Sequence, residues 1–121
     1  QRVRREPDLV FTLYLDEARL LDADGMVSTQ RLSPEALCSG AERILDAAPA
    51  LATGWLLVAA LRTADDPDPK RRASAPELLL RVRDLCAETG RAEDFRRALA
   101  LLRSRHSDRP RFLALLRRSG L

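Results

Sequence analysis

A chain of 121 residues with 45% hydrophobic and 32% charged side chains can bury a core, so it reads as one domain, 1–121, and not as a disordered tail. Aromatics are only 4%, β-branched residues are sparse, and Leu, Ala, Arg and Glu dominate, a composition that favours an all-α fold. The formal net charge of +3 hides a change of sign, because residues 1–69 hold 12 acidic and 7 basic side chains and residues 70–121 hold 6 and 14.

Taken in order, Pro7-Asp8 opens a first helix. Val10, Leu13, Tyr14, Ala18 and Leu21 recur along it at helical spacing until Asp22-Ala23-Asp24-Gly25 stops it. Met26–Leu32 follows as a loop or short extended piece. Ser33-Pro34-Glu35 starts the next helix with a hydroxyl cap, a proline in the first helical position and an acid in the first turn. Its apolar face is Leu37, Ala41, Ile44, Leu45 and Ala48. Pro49 ends it and begins another, apolar around its whole axis from Leu51 to Leu61, which places Trp55 in the core.

Ala64–Ala73 combines three acids, two prolines and three bases, and reads as an exposed, mobile linker. It joins an acidic half, 1–64, to a basic helical half, 74–121. Ser74 with Glu77 fits a capping box, whose helix carries Leu78, Val82, Leu85 and Cys86 and stops at Gly90. Glu93 or Asp94 opens the next helix, with Phe95, Ala98, Leu99 and Leu102 inward. Ser107-Asp108 caps the last, with Phe112, Leu113, Leu115 and Leu116 inward and Gly120 at its end. The expected architecture is about six short helices in an antiparallel bundle or a short α-solenoid-like array.

Few chemistries have a signature here. Cys38 and Cys86 are far apart with no paired Cys/His spacing, so they read as buried free thiols and no structural zinc site is expected. Asp22, Asp24 and Gly25 resemble part of a calcium loop, but the first and last ligand positions fall on Leu20 and Arg31. A helix-stopping turn accounts for them better. No glycine-rich phosphate cradle is present, so no nucleotide cofactor is expected. His106 has no motif around it and suits the end of a helix; Asp65-Asp66 read as solvated charge. No catalytic residue, metal ligand or cofactor is assigned. The longest apolar stretch, Trp55–Leu61, is far below the ~20 residues that span a bilayer, and the N-terminal residues are charged, so a cytoplasmic protein is expected.

The helix Leu78–Gly90, the aromatic Phe95, the sequence Leu102-Arg103-Ser104-Arg105-His106 and the closing Phe112-Leu113-Ala114-Leu115-Leu116 with Gly120-Leu121 resemble the C-terminal helical region of bacterial SWIM zinc-finger proteins and related helical-repeat families. The zinc ligands that define the SWIM module are absent from this chain, so no metal or nucleic-acid binding is carried over. The resemblance implies the tail-end helical array of an interaction protein.

All but one of the 21 basic residues are arginine. Codon bias explains arginine over lysine, but not why these residues gather after Pro69. Lys70, Arg71, Arg72, Arg103, Arg105, Arg109, Arg111 and Arg117 are therefore the candidate partner-binding set. The expected function is a non-enzymatic protein-interaction module that turns a basic face to an acidic partner. The alternative is a nucleic-acid-binding helical domain, in which each phosphate contact adds salt-dependent affinity. Pairing of the two oppositely charged halves, within one chain or between chains of a homo-oligomer, also stays open.

Overall fold

A computed structural model describes the backbone of residues 2–121 and the side chains of residues 6–121. No strand forms among them. Eight helices follow one another: α1 Arg2–Asp16, α2 Leu20–Thr29, α3 Pro34–Ile44, α4 Pro49–Ala64, α5 Pro69–Arg72, α6 Ala75–Glu88, α7 Ala92–Arg105 and α8 Pro110–Arg118. The all-α expectation holds. With α5 set aside as a single turn of four residues, there are seven helices rather than about six. The added helix is α2, where a loop is expected from the sequence.

The chain divides into two compact units, one ending at Ala59 and one spanning Ala60–Leu121. The division follows charge: the residues up to Ala59 hold six basic and nine acidic side chains, and the rest hold fifteen and nine. The two units are thus net −3 and net +6.

In the first unit the opening helix stops earlier than its apolar spacing suggests, and it does not stop at a glycine. Ala18 takes a left-handed φ of 57°. Its N–H donates to the Leu15 carbonyl at 3.0 Å, and the Arg19 N–H reaches back to the Tyr14 carbonyl at 2.8 Å. Together these bonds form a Schellman stop, with alanine in the place glycine usually fills. Gly25, the expected stop, lies inside α2 instead, and most of the segment expected as loop is helical. Pro7 does not open α1 but lies within it, because the helix begins at Arg2. The inward face is also turned. Phe11 and Leu15 are buried, while Val10, Leu13 and Leu21 are exposed.

The start of α3 forms as its residues dictate. Ser33 is extended at φ −70°, ψ 152°, and its Oγ accepts the Ala36 N–H at 3.0 Å, with Pro34 opening the helix. Asp8 of α1 braces this cap. Its carboxylate accepts the Ser33 N–H at 3.0 Å and the Ser33 hydroxyl at 2.7 Å. Where α3 meets α1, Gly40 leaves the space: an added Cβ would come within 2.7 Å of the Phe11 ring and 3.1 Å of Leu15. Trp55 is a core residue, 1% exposed. Its ring meets Phe11 edge to face at 5.0 Å, and its indole N–H donates to Asp24 at 2.8 Å. Burying two such rings contributes about 1.5–3 kcal/mol each, and their edge-to-face contact adds about 1 kcal/mol.

In the second unit, Leu79, Val82, Cys86, Phe95, Leu102, Phe112, Leu116 and Leu121 are buried. Gly90 ends α6 at φ 72°, with the Arg91 N–H donating to the Cys86 carbonyl at 2.7 Å. Gly120 ends α8 at φ 93°, and the Leu121 N–H reaches the Leu116 carbonyl at 2.9 Å. Both are the glycine stops expected from sequence. Two expected starts do not form. Ser74 has helical backbone angles, φ −84° and ψ −10°, because the turn of α5 leads into it. Its hydroxyl therefore donates to the Arg71 carbonyl at 2.8 Å and caps nothing. The cap position of α8 is Arg109, not Ser107 or Asp108, and no side chain caps that helix.

Candidate functional site

The stretch expected to be an open linker is partly built into the second unit. Ala64 is buried and Asp65 and Asp66 are half-buried, whereas Pro67–Arg71 are exposed. Asp65 follows the end of α4, held by its N–H bond to the Leu61 carbonyl at 3.1 Å. Its carboxylate takes two partners from the end of α7. Oδ1 lies 2.9 Å from His106 Nε2, and Oδ2 lies 2.7 Å from Arg105 Nη2. Asp65 is thus not the solvated charge its sequence position suggests.

His106 is 1% exposed and closes α7. Arg109 Nη1 lies 2.8 Å from its Nδ1. A guanidinium has no lone pair to offer, so Nδ1 accepts that bond and Nε2 donates to Asp65. Both imidazole nitrogens are therefore committed to protein partners, and Phe112 packs its ring edge to face at 5.0 Å. Arg72 lies over the other ring of this cluster, its Cζ 5.9 Å from the Phe112 centroid, while Nη1 donates to the Asp66 carbonyl at 2.9 Å.

These contacts sort the eight candidate residues. Arg72, Arg105 and Arg109 are turned to partners within the unit, and Arg109 is only partly exposed. Lys70 and Arg71 are exposed on α5, where Arg71 stands 3.9 Å from Asp66 and 4.0 Å from Asp68, both weak pairs. Arg103, Arg111 and Arg117 are exposed, and among the described residues no carboxylate comes within ion-pair distance of them. Arg118 is in the same position and is absent from the expected set; its place beside Arg117 in the last turn of α8 is the signal for it. The basic set therefore divides in three: Arg72, Arg105 and Arg109 around Asp65, Asp66 and His106, Lys70 and Arg71 on α5, and Arg103, Arg111 and Arg117 on the last two helices.

Elsewhere in the unit the charges are mostly answered. Glu93 is hydrogen-bonded by Arg96, and that contact holds its carboxyl below the usual range. Arg91 meets Asp94 at 3.2 Å. Burial pushes the Cys86 thiol up, with Arg91 acting in the opposite sense. Cys38 is half-buried, and neither cysteine is in a disulfide. Of the calcium-like pair, Asp22 is bonded by Arg19 at 2.8 Å and Asp24 by Trp55. Among the described residues no group of three or more His, Cys, Asp or Glu side chains could hold a metal ion, and no helix is long and apolar enough to cross a membrane.

The fold defines an all-α protein with an arginine-rich second unit, in which four exposed arginines, Arg103, Arg111, Arg117 and Arg118, have no acidic partner among the described residues. No family model, curated protein or solved structure matches the chain.

Proposed function

We propose that the chain is a cytoplasmic, non-enzymatic protein-interaction module whose second unit docks on the acidic surface of another protein. One observation carries this reading: Arg103, Arg111, Arg117 and Arg118 stay exposed with no carboxylate of the described residues within ion-pair distance, in a unit that pairs Arg71, Arg91, Arg96 and Arg105. Cations left unanswered within the unit are ones that an acidic partner can pair, and they speed encounter with that partner. The same role is what the resemblance to the helical region of SWIM-type proteins implies.

Nucleic acid is the second reading, since phosphates would also answer these arginines. The aromatics weigh against it. Phe95 and Phe112 are buried, so neither offers a face for base stacking. The two readings separate in a titration of the purified chain with a polyglutamate peptide and with a mixed-sequence DNA duplex at two salt concentrations. The proposal predicts that the peptide binds and that the duplex binds no more tightly. Tighter duplex binding that collapses steeply at the higher salt would replace the protein partner with nucleic acid.

A further inference from the structure

A cleft of about 250 Å³ opens in the second unit between α6, α7 and the residues after α8. Ala87, Ala92, Phe95, Leu99 and Leu121 form its apolar walls, and Phe95 and Leu121 are buried, which makes that part of the lining firm. Gly120, Arg83 and Arg96 complete the lining, so its two charged side chains are both cations. The volume falls below the ~300–1,000 Å³ of small-molecule sites and suits a single inserted side chain. Both arginines are largely exposed. They meet only acids of their own helices, Arg83 at 3.6 Å from Asp84 and Arg96 on Glu93. Exposed pairs of this kind are weak, so a partner's carboxylate can displace them.

The cleft also continues into the docking surface described above. Ala92, Arg96, Leu99 and Arg103 recur every three or four residues along α7 and share one face of that helix. The unpaired Arg103 therefore lies one turn beyond the Leu99 wall.

We infer that this cleft receives one large aliphatic or aromatic side chain of the acidic partner, while carboxylates flanking that side chain engage Arg83 and Arg96. The inference rests on the docking role proposed above and names the chemistry of the partner: an acidic segment with a single apolar anchor. An anchor seated in a desolvated pocket and ringed by charge is the usual source of most binding energy at such interfaces.

The test uses the full chain and two labelled twelve-residue peptides of Glu, Asp and Ser, alike except for Leu or Ala at the centre. Anisotropy gives the affinities, and NMR follows the methyl groups of Leu99 and Leu121. A variant, Ala87→Phe, fills the cleft from an exposed position on α6, with its fold checked by circular dichroism. The Leu peptide is expected to bind about tenfold or more tightly than the Ala peptide and alone to shift the two methyl signals; Ala87→Phe is expected to erase the difference. Should the variant not fold, the methyl shifts of the native chain decide. Equal binding of the two peptides, or a Leu preference that survives Ala87→Phe, would overturn the anchor and leave the docking role standing. Binding of neither would overturn both.

Discussion

Asp65 Oδ1 lies 2.9 Å from Nε2 of His106, across 41 residues of chain. This bond joins the end of α4 to the end of α7, and Arg105 and Arg109 grip the same pair from either side. Residues that look like surface charge in the sequence are therefore the polar closure of the second unit. His106→Ala is expected to lower unfolding free energy by about 2–4 kcal/mol, because it removes a buried ring packed on Phe112, takes the acceptor from Arg109 and leaves Asp65 with Arg105 alone. Arg111→Ala, at an exposed position, is expected to stay within about 0.5 kcal/mol of the native chain. Denaturant titration of both variants checks the contrast, and equal small effects would show that the cluster contributes little.

The stop of α1 and the interior of α2 have their small residues in exchanged places. Ala18 bears the left-handed strain that glycine avoids, and Gly25 occupies a helical position where a Cβ would meet nothing within 4 Å. Ala18→Gly and Gly25→Ala are each expected to stabilise the protein, by about 1 kcal/mol. A fall in thermal midpoint for either would show that the α1–α2 turn is built differently.

Gly40 predicts the opposite outcome. A methyl group there would press on Phe11, which is itself held against Trp55 and has no free direction in which to move. Gly40→Ala is expected to cost about 1–3 kcal/mol even though alanine is the better helix former. Thermal unfolding measures it, and a neutral or stabilising result would mean that α1 and α3 are not in such close approach.

The contrast among these positions shows what a sequence reveals. Ser33 with Pro34, and the glycines at 90 and 120, act within a few residues of themselves, so their chemistry is visible locally and the structure follows it. Trp55 is placed by the apolar residues that surround it along α4. Ala18 gives no such sign, because nothing in an alanine marks it for a left-handed turn, and a glycine seven residues later offers a more attractive stop. Phe11 and Leu15, which face inward, lie off the stripe that Val10, Leu13 and Leu21 suggest for a helix running on to Gly25. The basic set fails for a different reason. Arginine's stem is long enough to reach in several directions from the same backbone position, and only the fold shows that Arg72, Arg105 and Arg109 turn to partners within the unit. Asp65 is hidden for a further reason, its partner His106 being 41 residues away.

The two thiols should differ in reactivity. Cys86 is buried and its thiol is pushed up by that burial, which leaves little thiolate near neutral pH, whereas Cys38 is half-buried. In the folded protein iodoacetamide is expected to label Cys38 first, with Cys86 reacting at a comparable rate only after unfolding. Peptide mass spectrometry over a time course reads this out. Prompt labelling of Cys86 in the native state would show that α6 opens readily.

On the proposed function, the outward arginines of α7 and α8 bind an acidic protein partner and do not support the fold. The most direct measurement is polyglutamate affinity and denaturant stability of the triple variant Arg103→Glu, Arg111→Glu, Arg117→Glu, beside the native chain. Binding is expected to weaken at least about tenfold, with stability changed by no more than about 1 kcal/mol. Binding that survives the reversal, or a variant that unfolds, would contradict it.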